Sequence, residues 1–129
     1  MIRLTPNPTF EKEVPIALRG GSSDVMAKLT FRALEMGLVM SLLVLSGLLQ
    51  KTWLVRKWHF AKLCITQRKW VNNLDLLDLM VVGWDEGDTG FDVPYSKQAM
   101  LMLIAKDPGV LAKIPLAYFA GLQEEKLKN

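Results

Sequence analysis

Four carboxylates crowd one short stretch of this 129-residue chain: Asp85, Glu86, Asp88 and Asp92, interleaved with Gly87 and Gly90. Oxygen donors gathered in a glycine-rich loop are what a hard cation such as calcium requires. The spacing does not meet that requirement. Ligands should alternate along the loop, and the position that should carry a terminal bidentate Glu is Ser96. The better reading is a solvated turn. His59 is the only histidine and stands between Trp58 and Phe60, so it reads as a packed or surface residue rather than a metal ligand. Cys64 is the only cysteine; with no neighbouring base it reads as a core thiol, and a lone cysteine suits a reducing compartment. Gly20-Gly21 lacks both the spacing and the following lysine of a phosphate loop. No catalytic, cofactor-binding or metal-binding set emerges, and the chain reads as a non-enzyme.

The acidic turn nevertheless occupies a pivotal place. An apolar run (Leu74, Leu76, Leu77, Leu79, Met80) leads to Gly83, a residue type favoured just past a helix end. Trp84 then anchors the exit, Gly87 and Gly90 allow tight backbone turns, and Pro94 biases Val93 toward an extended conformation. Ser96 is placed to cap the next helix. The local expectation is helix, turn, helix. Asn72 or Asn73 would cap the first of these helices, with Asp75 and Asp78 toward its positive end.

Upstream, residues 1–9 contain two prolines and read as an extended arm. Phe10, Val14, Ile16 and Leu18 share one parity, and Val25, Ala27, Leu29 and Phe31 share another. With Arg19-Gly20-Gly21-Ser22-Ser23-Asp24 between them as a turn, they predict a hairpin, whose Pro15 belongs on an edge strand. Downstream of Ser96, one helix runs to about Ala105. Lys106-Asp107-Pro108 reads as a break and a cap, and a last helix carries Val110, Leu111, Ile114, Ala117, Tyr118 and Leu122 at helical spacing. Pro115 inside that helix predicts a kink or a shortened first turn. The resulting fold class is α+β, predominantly helical: an N-terminal hairpin on a small bundle of four to five helices. Residues 1–129 form one domain, with arm and hairpin over 1–32 and the helical part over 33–129.

The middle of the chain has an unusual charge pattern. Net charge is only +3, yet no acid lies between Glu35 and Asp75, where Lys51, Arg56, Lys57, Lys62, Arg68 and Lys69 all fall. Residues 36–49 are uncharged but shorter than the roughly 20 residues a membrane span needs, so they read as a buried or oligomer-facing helix. In the basic segment that follows, Trp53, Leu54, Trp58, Ala61 and Ile65 recur at helical spacing. The expectation is that they pack inward with the cations solvated. The competing reading is a membrane-interface or nucleic-acid face.

The strings Val81-Val82-Gly83-Trp84-Asp85, Phe91-Asp92-Val93-Pro94-Tyr95-Ser96-Lys97-Gln98-Ala99 and Asp107-Pro108-Gly109-Val110 resemble those of the bacteriophage tail assembly chaperone family, as does the opening Leu4-Thr5-Pro6-Asn7-Pro8-Thr9-Phe10. The resemblance covers about residues 1–32 and 74–129, and the middle departs from it. It implies a non-enzymatic protein that self-associates, binds the tape measure protein, and helps recruit the tail tube protein in the host cytoplasm. It further implies absence from the mature virion. Trp84, Phe91, Val93 and Tyr95, exposed by the turn, are the candidate partner-binding residues; alternatively Trp84 and Tyr95 close the local core. The alternative function is a small membrane-active, holin-like protein using residues 36–55, whose basic flank fits the positive-inside pattern. Nucleic-acid binding through residues 51–70 is a weaker third reading.

Overall fold

The computed structural model describes residues 9–17, 25–87 and 90–128, with side chains through Glu124. Two eight-residue strands, β1 (Thr9–Ile16) and β2 (Val25–Arg32), pair antiparallel from Thr9↔Arg32 to Ile16↔Val25. Alternation sets their inner face: Phe10, Val14 and Ile16 from β1, and Ala27, Leu29 and Phe31 from β2, are buried. Pro15 sits on β1, which is an edge of the sheet, so its missing N–H interrupts no interior ladder. Of the arm expected over residues 1–9, only Thr9 is described, and it begins β1; the rest of the arm and the turn expected over 19–24 lie outside the described residues.

Three helices and a further strand follow: α1 (Met36–Leu45), α2 (Trp53–Gln67), α3 (Asn73–Met80) and β3 (Val81–Trp84). The chain ends with α4 (Lys97–Lys106) and α5 (Val110–Lys128). The architecture is therefore α+β, as the patterning predicts, but the sheet has three strands in the order β1-β2-β3. The expected helix end at Gly83 is corrected: α3 stops at Met80, and the next four residues join the free edge of β2. Short apolar runs do not distinguish helix from strand, and the hydrogen bonds offered by β2 decide the matter. The register shifts between Thr30 and Phe31, which face Gly83 and Val81. That irregularity leaves Val82 without a partner and turns both Val81 and Trp84 into the core.

Helix α5 lies against β1, and its Tyr118 joins the rings of Phe10 and Phe31, with centroids 5.6 Å from each. Gly121 is required where Phe10 crosses the helix, since a Cβ there would lie 2.4 Å from the ring edge. The helix continues through the buried Pro115. Its start is fastened to the sheet by Asp107. One carboxylate oxygen accepts from the Ala17 backbone N–H (2.9 Å) and from Lys113 Nζ (2.9 Å), and the other accepts from the Gly109 N–H (3.1 Å).

The uncharged stretch does form a buried helix, but a short one. Val39, Ser41, Leu42, Val44 and Leu45 of α1 are covered, and Leu42 and Leu45 join the main core. The chain then turns at Gly47, whose φ of +85° favours glycine, and re-enters helix at Trp53. A span over residues 36–55 is therefore broken in the middle. Among the described residues no helix is long and apolar enough to cross a membrane. The holin-like alternative finds no support.

The packing of α2 reverses the expectation for its faces. Leu63 is its one buried residue, seated with half-buried Phe60 and Cys64 on the core. His59 Nδ1 meets Ser41 Oγ at 3.0 Å, and the Arg56 guanidinium donates to the carbonyls of Val44 (2.9 Å) and Leu45 (3.0 Å) at the end of α1. Trp53, Leu54, Trp58, Ala61 and Ile65, expected inward, are all exposed. Helical spacing groups these residues correctly; α1 covers the opposite side.

Candidate functional site

The turn after β3 is built as a platform. Asp85 N–H extends the ladder by donating to the Lys28 carbonyl (3.2 Å), and the Asp85 carbonyl then accepts from Phe91 N–H (2.9 Å). Gly87, at φ +106°, donates to the Phe91 carbonyl (3.0 Å). Gly90 packs so closely that a Cβ would sit 2.2 Å from the Asp85 carbonyl oxygen. These contacts return Phe91 onto Trp84, with ring centroids 3.9 Å apart and planes 20° from parallel. Tyr95 meets the same indole edge-on at 5.1 Å. Trp84 Nε1 donates to the Val93 carbonyl at 2.9 Å.

All four candidate residues thus converge, with one correction: Trp84 is buried, at 8% exposure, and is not displayed by the loop. Phe91 and Tyr95 are half-buried, and Val93 is 36% exposed. The indole acts as the floor on which the other three rest. Sequence reasoning missed the residues that tie this floor to α3. Tyr95 Oη donates to Asp78 Oδ1 at 2.6 Å, and burial together with that carboxylate pushes the phenol pKa well above its ordinary value. Two residues on, Lys97 pairs with Asp75. Ser96 caps α4 as expected, accepting from Ala99 N–H at 3.0 Å. The available signal was the i, i+3 spacing of Asp75 and Asp78, which places both on one side of α3.

Asp75 has a second duty. Asn72 accepts from Asp75 N–H (2.9 Å) and Asp75 accepts from Asn72 N–H (3.0 Å), a reciprocal cap at the start of α3. Only 6% exposed, its carboxylate also takes the ammonium groups of Lys97 and Lys69. The Lys97 hydrogen bond leads in holding its pKa below the ordinary 3.8, against the opposing cost of burial. Asp107 is likewise held low, chiefly by the Ala17 N–H and Lys113. Because both folded-state values are depressed, their stabilisation is complete above the unfolded value and disappears as pH falls through the folded ones. Urea melts should therefore show constant stability from pH 7 to about 5 and a steep loss below about 4. In Asp75→Asn/Asp107→Asn the acid limb should flatten; an unchanged limb would remove these two groups as its cause.

Among the described residues no three of His, Cys, Asp and Glu gather to hold a metal ion. The turn presents apolar and aromatic surface, with Val93 accessible and its carbonyl held by Trp84 Nε1.

Comparison with known proteins decides the family. The profile described as phage tail assembly chaperone matches residues 1–129. The chain belongs to that family. No curated protein and no solved structure matches it significantly. The family match runs through residues 33–73 as well, so the segment that departs from the recognisable motifs is part of the chaperone domain's match and folds as α1 and α2.

Proposed function

We propose that this tail assembly chaperone self-associates and binds the tape measure protein during tail assembly, helping to recruit the tail tube protein, with Trp84, Phe91, Val93 and Tyr95 as the partner-binding platform. The reading places it in the host cytoplasm, as a single non-enzymatic domain without cofactor or metal, and absent from the finished virion. Family membership supports the assembly role. The observation that carries the site is Val93: its carbonyl is pinned by the buried indole while its side chain stays accessible. An apolar projection held in place in this way loses little conformational freedom on binding. Beside it, half-buried Tyr95 is of the aromatic type in which binding hot spots are enriched.

Val93→Asp tests the site. An exposed substitution should leave stability within about 0.5 kcal/mol of the parent. Calorimetric titration with the same phage's tape measure protein should show affinity weakened by about 2 kcal/mol or more. Unchanged affinity would remove the turn as the contact, and no binding by the parent chain would remove the tape measure reading itself. Sedimentation over a range of concentrations tests self-association separately.

A further inference from the structure

The outer face of α2 is an exposed apolar surface that shares no residue with the turn. Leu54, Trp58, Ala61 and Ile65 follow a four-three-four spacing, which draws a single line along a helix. Leu54 is 70% exposed, Trp58 59% and Ile65 78%, while Leu63 on the opposite side is buried. Folding has thus spent the other face of α2 on α1 and left an apolar seam uncovered. Lys57 and Lys62 flank the seam, each with its ammonium over a tryptophan ring: Lys57 lies 4.1 Å from the Trp53 centroid and Lys62 5.1 Å from that of Trp58. At the C-terminal end a depression of about 460 Å³ is lined by Ala61, Cys64, Ile65 and Trp70, with Arg68 and Lys69 among its walls.

We infer that this seam receives one amphipathic α-helix of a partner protein, apolar along its contact line and acidic on both flanks. Charge argues for that occupant. Lys57, Lys62 and Arg68 have no ion pair among the described residues, and no acid interrupts the sequence from residue 36 to 74. A second copy docked through the same face would set lysine against lysine, the arrangement that flanking charges use to reject a pairing. A bilayer is the competing occupant. Trp53, 65% exposed, and Val55, 38% exposed, widen the apolar surface beyond the seam toward the broad face that interfacial helices bury, so the vesicle control separates the two occupants. The inference stands independently of the tape measure reading.

The test uses the full chain and a synthetic helical peptide of about three heptads, with leucine along the seam and glutamate on both flanks. Its controls are a scrambled peptide of equal composition and vesicles of phosphatidylcholine and phosphatidylserine at three to one. Fluorescence of the exposed tryptophans reports binding. The expected result is saturable binding of the ordered peptide, at least tenfold weaker in Lys57→Glu/Lys62→Glu. Binding by that variant should return when the peptide flanks are changed from glutamate to lysine. Circular dichroism of the variant checks its fold, and both substituted side chains lie outside the core. Val93→Asp should bind the peptide as the parent does, separating this surface from the turn. Equal binding of the scrambled peptide, or no binding of either, overturns the inference. It is equally overturned by preferential vesicle binding, or by self-association that Trp58→Ala/Ile65→Ala abolishes.

Discussion

Tyr118→Ala should lower stability by about 3–5 kcal/mol, as large-to-small changes of buried aromatics do. In a chain of this size that corresponds to a fall in melting temperature of about 10–20 °C. The side chain is fully buried, and it fills the space where α5 meets the sheet between Phe10 and Phe31. Its hydroxyl adds a polar role. It donates to the Arg32 carbonyl at 2.8 Å and accepts from the Leu34 N–H at 3.3 Å, where the chain leaves β2 for α1. Tyr118→Phe keeps the ring and strands those two backbone groups, so it should cost a smaller amount, about 1–3 kcal/mol. Urea denaturation of both variants separates packing from hydrogen bonding. If Tyr118→Ala came within about 1 kcal/mol of the parent, the claim that this ring closes the core would fail.

Trp84→Ala is the second large effect, also expected at about 3–5 kcal/mol. The indole is held by stacking on Phe91, by the edge of Tyr95 and by the bond to the Val93 carbonyl. Its removal takes the floor from the whole turn, so amide exchange over residues 85–95 should accelerate well before global unfolding. Trp84→Phe retains an aromatic face and loses the indole donor, for a cost of about 1 kcal/mol from the hydrogen bond in addition to lost area. The pair also bears on the proposed contact. A folded Trp84→Phe protein that still binds the tape measure protein would assign the indole a positioning role beneath Val93 and Phe91. Slow exchange over residues 85–95 in Trp84→Ala would instead show that the turn stands without its floor.

Several features were legible in the sequence because their causes are local. Alternation along Phe10, Val14 and Ile16, and along Ala27, Leu29 and Phe31, marks the inner face of a hairpin whatever covers it. Asn72 and Ser96 cap α3 and α4 through bonds to residues three positions away, which adjacent chemistry alone can specify. The strings around Trp84 and Asp107 carried the family resemblance, and that family is the one whose profile spans the chain.

The rest depended on what lay opposite. Val81–Trp84 became a strand because β2 had an unfilled edge, a fact absent from those four residues. Trp84 became a buried floor because Gly87 and Gly90 fold Phe91 back over it. The side chains of α2 illustrate the limit most plainly. Periodicity identifies Leu54, Trp58, Ala61 and Ile65 as one face, but it contains no information about which side meets a neighbour. That choice was made by α1, through Ser41 against His59 and through the Val44 and Leu45 carbonyls against Arg56. Sequence by itself determined which residues stand together; only the tertiary structure decided which of those groups the protein keeps covered, because burial is a property of pairs of surfaces and the sequence of one helix specifies only its own.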